Sequence, residues 1–208
     1  MTCGPPRVLV IVGPTAVGKT SLALALGQRF GGEAISADSR QIYRYMDIGT
    51  AKATLAERAI VPHHLIDIVD PDEELTLAHY RTLAMRAIEG VWARGRLPML
   101  VGGTGLYIWA VLEGWTVPEV PPDPDLRAQL EGEAEREGYA ALHARLAQVD
   151  PIAAARIDPR NVRRVIRALE VYHRVGTPIS HLQRREPPNY RTLILGLTMP
   201  RPNLYARI

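Results

Sequence analysis

Gly13-Pro14-Thr15-Ala16-Val17-Gly18-Lys19-Thr20 is the stretch on which the reading of this chain turns. It has the form G-x-x-x-x-G-K-T, a complete P-loop. The apolar run Val8 to Val12 precedes it and is short enough to be a buried strand. Leu22, Ala25, Leu26 and Phe30 follow at helical spacing. Strand, glycine-rich turn and helix together make an anion site. Backbone N–H groups curl round a phosphate, and the new helix adds its positive dipole end. Lys19 contributes a full charge, and the Thr20 hydroxyl suits Mg²⁺. Of 25 Lys plus Arg, only Lys19 and Lys52 are lysines, so lysine at position 19 runs against the usage of the whole chain. Whether the loop holds ATP or another diphosphate is left open by the motif.

The composition fits a globular α/β core with an appendage: 208 residues, 47% hydrophobic and 23% charged. Net charge is only +3, but Arg156, Arg160, Arg163, Arg164, Arg167, Arg174, Arg184, Arg185 and Arg191 crowd one region, which suggests a polyanionic partner. A lone cysteine, Cys3, excludes a disulfide framework and a thiolate metal cluster. The longest apolar stretch, Gly105 to Leu112, is too short to cross a bilayer. A cytoplasmic protein without membrane attachment is the expectation, with monomer as the default state.

Working outward from the loop, Glu33 to Ala37 predicts a second strand that ends at Asp38-Ser39-Arg40-Gln41. His64 to Val69 predicts a short third strand. Thr76 suits the cap of a helix running to about Arg94. Pro98 to Val101 predicts a buried strand, followed by Gly102-Gly103-Thr104-Gly105 and an apolar helix to about Glu113. This alternation predicts an α/β fold with a mostly parallel sheet flanked by helices. The P-loop, Asp38 and the Gly-Gly-Thr turn all follow predicted strand C-termini, so they should meet at one sheet edge. Trp92, Trp109 and Trp115 lie in apolar helical patterns and read as core.

Four prolines between Pro118 and Pro124 mark a stiff linker and a change of composition. Beyond it, 125–137, 139–148, 151–157 and 161–175 read as helices, and Thr192 to Thr198 as a strand. The predicted organisation is therefore an α/β core over 1–117, a helical insert over 118–189, and a return strand with the start of a helix over 190–208.

Several residues are chemically suggestive on their own. Asp38 at a strand end could be a general base, a water-mediated Mg²⁺ ligand or a simple N-cap. The Gln41 amide suits reading a base edge, although exposed glutamines are common. Thr104 could offer its hydroxyl to a substrate or cap a helix. Arg160, Arg163, Arg164 and Arg167 lie three and four apart on one helix, where they could grip phosphates or form a solvated face with Glu170.

Taken together, the motifs resemble the tRNA dimethylallyltransferases (tRNA isopentenyltransferases). The resemblance rests on Gly13 to Thr20, Ile35-Ser36-Ala37-Asp38-Ser39-Arg40-Gln41-Ile42-Tyr43, and Met46-Asp47-Ile48-Gly49-Thr50-Ala51-Lys52. It continues through Pro62-His63-His64-Leu65-Ile66-Asp67, Val101-Gly102-Gly103-Thr104-Gly105-Leu106-Tyr107 and Arg167-Ala168-Leu169-Glu170-Val171. It implies transfer of a dimethylallyl group from dimethylallyl diphosphate to N6 of the adenosine beside the anticodon, position 37. Gly13, Pro14, Thr15, Ala16, Val17, Gly18, Lys19, Thr20 and Arg201 would then bind the diphosphate, with Mg²⁺ on Thr20. Asp38 would be the base, with Lys19, Thr104 and Arg207 also in the catalytic set. Asp38, Ser39, Arg40, Gln41, Thr104, Arg127, Arg163, Arg164 and Arg167 would contact the tRNA anticodon stem-loop, the last four from the insert. Members of that family continue past the position of Ile208, so the chain reads as truncated. The readings that compete with it are an adenylate (cytokinin-type) isopentenyltransferase, an ATP-dependent P-loop kinase, and a P-loop RNA-binding module without turnover.

Overall fold

A computed structural model describes residues 4–116 and 118–208. Cys3 and Val117, the latter at the start of the proline-rich linker, lie outside the described residues. The chain divides into two compact units, Met1–Trp115 with Glu186–Ile208, and Thr116–Arg185.

The first unit is built on a five-stranded sheet in the order β3-β2-β4-β1-β7. Its strands are β1 (Arg7–Val12), β2 (Gly32–Ser36), β3 (His63–His64), β4 (Leu97–Gly102) and β7 (Arg191–Gly196), and every pairing is parallel. The core strands are continuous apolar runs because both faces are covered. Along β1, Val8 and Val10 pack on one side with helices α3 (Leu77–Ala93) and α4 (Gly105–Leu112). Leu9 and Ile11 pack on the other with α1 (Lys19–Phe30) and Val61, the residue after α2 (Leu55–Ile60). Thr76 caps α3 as its sequence predicts, accepting from the His79 N–H at 3.2 Å.

Several expectations change. The third strand covers two residues, because Leu65 and Asp67 take positive φ (62° and 58°), which no strand accommodates. Residues 53–62 carry a helix, α2, that periodicity does not predict. A capping box forms it, with Thr54 Oγ1 accepting from the Glu57 N–H and the Glu57 carboxylate accepting from the Thr54 N–H. In α1 the buried positions are Ala23 and Gly27, while Ala25 and Phe30 are exposed. Trp109 is 45% exposed and does not belong to the core.

Two-residue strands β5 (Trp115–Thr116) and β6 (Arg184–Arg185) stand where the chain passes between the units. The second unit contains helices α5 (Pro124–Glu137), α6 (Tyr139–Val149), α7 (Pro151–Ala154), α8 (Val162–Val175) and α9 (Ile179–Leu182). Its own core gathers Leu130, Leu142, Leu146, Val165, Ile166 and Leu169. Buried Asp150 caps α7 through the Ala153 N–H and also accepts from the Ser180 N–H, fastening α9. In the first unit, β7 adds to the free side of β1, and α10 (Arg201–Tyr205) follows it.

Candidate active site

The C-terminal ends of β1, β4 and β2 lie side by side, which is where open parallel sheets bind ligands. After β1 the chain enters the P-loop. Gly18 is the N-cap of α1 with φ +101°, a conformation side chains rarely adopt, and no side chain caps the first turn. The N–H groups of that turn are therefore available to an anion. Lys19 Nζ donates to the carbonyls of Gly13 at 2.9 Å and Pro14 at 2.7 Å, so the ammonium is held over its own loop. Burial lowers the Lys19 pKa, and the Asp38 carboxylate works in the opposite direction.

After β2 the chain is fastened to the turn after β4. The Ala37 N–H donates to Val101 O at 2.8 Å, and the Thr104 N–H donates to Ala37 O at 3.1 Å. Gly102 must be glycine, since a Cβ there would lie 2.1 Å from Ala37 O. Thr104 is the N-cap of α4 but does not use its side chain as a cap. Its Oγ1 instead accepts from the Ser39 N–H at 3.0 Å, which fixes the residue next to Asp38. Asp38 Oδ1 accepts from the Arg40 N–H at 2.9 Å, in a turn that orients the carboxylate. From below, Tyr80 donates to Ser36 O at 2.9 Å and stacks on Tyr107 with ring centroids 3.8 Å apart.

Thr15, Ala16, Gly18, Lys19, Thr20, Asp38, Arg40, Gln41, Gly102 and Arg207 line one cavity of about 470 Å³. Gly13, Pro14, Val17, Ser39, Thr104 and Arg201 are not among its lining residues. Ser21, Val101, Gly49, Thr50, Ala51, Lys52 and Glu57 complete the wall. Nothing in their residue types assigns them to a pocket, although the Thr54-x-x-Glu57 signature forecasts the helix that carries Glu57. The Gln41 amide is engaged internally: Oε1 accepts from Ser36 Oγ at 2.9 Å, and Nε2 donates to Thr50 O and Ala51 O at 3.1 and 3.0 Å. Its two N–H donors hold this wall.

Within the second unit the arginines divide. Arg163 and Arg164 are exposed. Arg127 and Arg167 instead converge on buried Glu170, at 2.7 and 2.5 Å, and Arg167 also donates to the carbonyls of Pro118 and Val120. Among the described residues no cluster of three His, Cys, Asp or Glu could hold a metal, and no helix is long and apolar enough to cross a membrane. In a P-loop the Ser or Thr after the lysine is the residue that would hold Mg²⁺, and Thr20 stands there, in the first turn of α1 and on the cavity wall.

Residues 41–208 match the IPP transferase family, and residues 6–61 match the isopentenyl transferases. The chain belongs to the IPP transferase family. It is 63% identical over 201 residues to a tRNA dimethylallyltransferase of Roseiflexus castenholzii, and 57% identical over 208 residues to that of Herpetosiphon aurantiacus. These alignments cover 97% and 100% of this chain, which spans 66% of the length of each relative. Among solved structures it resembles the tRNA isopentenylpyrophosphate transferase of Bacillus halodurans, with 48% identity and a TM-score of 0.62 over 97% of this chain and 63% of that one. It also resembles a eukaryotic dimethylallyltransferase acting on tRNA, with 34% identity and a TM-score of 0.77 over 95% of this chain and 50% of that one. In this chain the P-loop follows β1 of a parallel sheet flanked by helices, a fold it shares with these solved structures.

Proposed function

We propose that this chain carries the catalytic core of a tRNA-modifying prenyltransferase, which moves the dimethylallyl group of dimethylallyl diphosphate to N6 of the adenosine adjacent to the anticodon. The observation that carries this reading is that a P-loop lysine and a strand-end carboxylate, Lys19 and Asp38, line one cavity. A phosphate-holding cation and a proton acceptor in one pocket suit a displacement in which diphosphate departs as an amine attacks.

In that displacement the N6–C1 bond forms as the C1–O bond to diphosphate breaks. N6 is a poor nucleophile because its lone pair is delocalised into the ring. Asp38 accepts the N6 proton as the bond forms, where a base helps most. Lys19 and the first-turn N–H groups of α1 stabilise the charge that grows on the departing diphosphate, and Arg207 adds a further positive group on the cavity wall. Thr20 would hold Mg²⁺, whose chemistry there is to neutralise phosphate charge. Thr104 positions the Asp38 turn through Ser39. Arg40 faces the incoming nucleotide, and exposed Arg163 and Arg164 suit tRNA phosphates.

The test is product analysis. Incubated with isotopically labelled dimethylallyl diphosphate, Mg²⁺ and unmodified tRNA, the protein is expected to leave label on an adenosine of the tRNA. Label that stays on the diphosphate, or transfer of the γ-phosphate when ATP is supplied, would overturn the reading.

A further inference from the structure

Lys52 is the second of two lysines in an arginine-rich chain, and the chemistry above gives it no part. Its side chain is 4% exposed. Nζ meets three oxygens: Tyr43 O at 2.6 Å, Asp67 Oδ1 at 2.7 Å and Asp47 Oδ1 at 2.9 Å. An ammonium has three donors, so none remains for a ligand. Burial works against the Lys52 charge, but the hydrogen bonds to Asp67 and Asp47 outweigh it and raise the pKa.

The clamp joins two segments. One is the Met46–Lys52 loop, whose Gly49, Thr50, Ala51 and Lys52 form a wall of the cavity. The other is the stretch around Asp67, which Arg58 also holds at 2.7 Å and Arg44 at the Asp67 carbonyl. Five non-glycine residues among those described have positive φ, and four of them lie in or beside these segments: Tyr45, Ala51, Leu65 and Asp67. Such conformations persist only where the surroundings over-determine them, and they gather at functional sites. The Gln41 amide, bonded to Thr50 O and Ala51 O, fixes the loop at a second point.

We infer that Lys52 is a positioning residue: through Asp67, Asp47 and Tyr43 it holds the strained Gly49–Lys52 wall in place, so that the reactants in the cavity are aligned. The inference rests on the proposal that this cavity is where transfer occurs. It also explains why, Lys19 apart, this is the one position where an arginine-writing chain has lysine. A compact ammonium can donate to three oxygens converging on one point, whereas the planar fork of arginine cannot.

Lys52→Met is the informative change, because it removes the charge at similar length and leaves Asp67 paired with Arg58. The folded variant is expected to show amide hydrogen exchange at residues 46–52 about tenfold or more faster than the parent. Its kcat for prenyl transfer is expected to fall about 10–100-fold, since a small misalignment is costly, with a much smaller change in the KM for dimethylallyl diphosphate. Lys52→Arg restores charge but is expected not to restore kcat. If Lys52→Met does not fold, Asp47→Ala removes one acceptor of the clamp at an exposed carboxylate and is expected to give a weaker form of the same pattern. Unchanged exchange in the loop, an unaltered kcat, or full recovery with arginine would each overturn the inference. A parent protein that transfers no prenyl group would sink the function proposed for the cavity, and loop exchange would then decide the clamp alone.

Discussion

Asp38 shows how much one side chain depends on its frame. Its backbone follows β2, its neighbour Ser39 is held by Thr104, and its own carboxylate is turned by the Arg40 N–H. Asn at this position keeps the shape and one acceptor oxygen but loses the charge. Asp38→Asn is expected to lower the single-turnover rate by about 10²–10⁴, the usual range for a general base, with tRNA binding little changed. If Asp38 instead held Mg²⁺ through water, raising Mg²⁺ would restore the rate. A Mg²⁺ series with both substrates saturating separates the roles, and full rescue contradicts the base assignment.

At the level of elements, α8 joins two kinds of face. Val165, Ile166, Ala168 and Leu169 are buried, Arg163 and Arg164 face solvent, and Glu170 sits at 0% exposure within its own unit. Burial opposes the Glu170 charge, but Arg127, the Asp123 N–H and Arg167 hold its pKa at about 2. An unfolded glutamate titrates near ~4.3, so this carboxylate stabilises the fold above that pH, and the contribution is lost as pH falls towards 2. Glu170→Gln is therefore expected to be less stable at pH 7, with the gap to the parent closing between about pH 4.5 and 2 in denaturant titrations followed by helical circular dichroism. A gap that does not depend on pH contradicts this.

Elements such as β1, α3 and α8 were legible because burial period and caps agree in their sequences. The stretch His64 to Val69 misleads because its alternation is real but two of its residues, Leu65 and Asp67, are left-handed, and the Asp67 carboxylate is drawn to Lys52 and Arg58. Helix α2 is written as a capping box rather than as a hydrophobic stripe, since none of its residues is buried. At the cavity, Lys19 and Asp38 follow from motif and strand-end logic. The Gly49–Lys52 stretch is quoted as a motif, but its place on the cavity wall does not follow from the residue types, because side-chain bonds from Gln41 and Lys52 to Tyr43, Asp47, Asp67 and the loop's own carbonyls set it.

At the scale of the molecule, two units with separate cores divide the proposed work. The sheet unit carries the cavity, and the helical unit carries exposed Arg163 and Arg164. Substitutions in the two should therefore fail differently. Arg163→Ala is expected to weaken tRNA binding and reduce the slope of log affinity against log salt by about 0.7–0.9, the share of one neutralised phosphate, while leaving donor use intact. The measurement that tests the central claim most directly is single-turnover transfer by Lys19→Ala with both substrates saturating, beside its tRNA affinity. The P-loop account predicts a rate lowered about 10²–10³-fold at unchanged tRNA affinity, because the lysine acts on charge that develops as diphosphate departs. Transfer at the parental rate would contradict it.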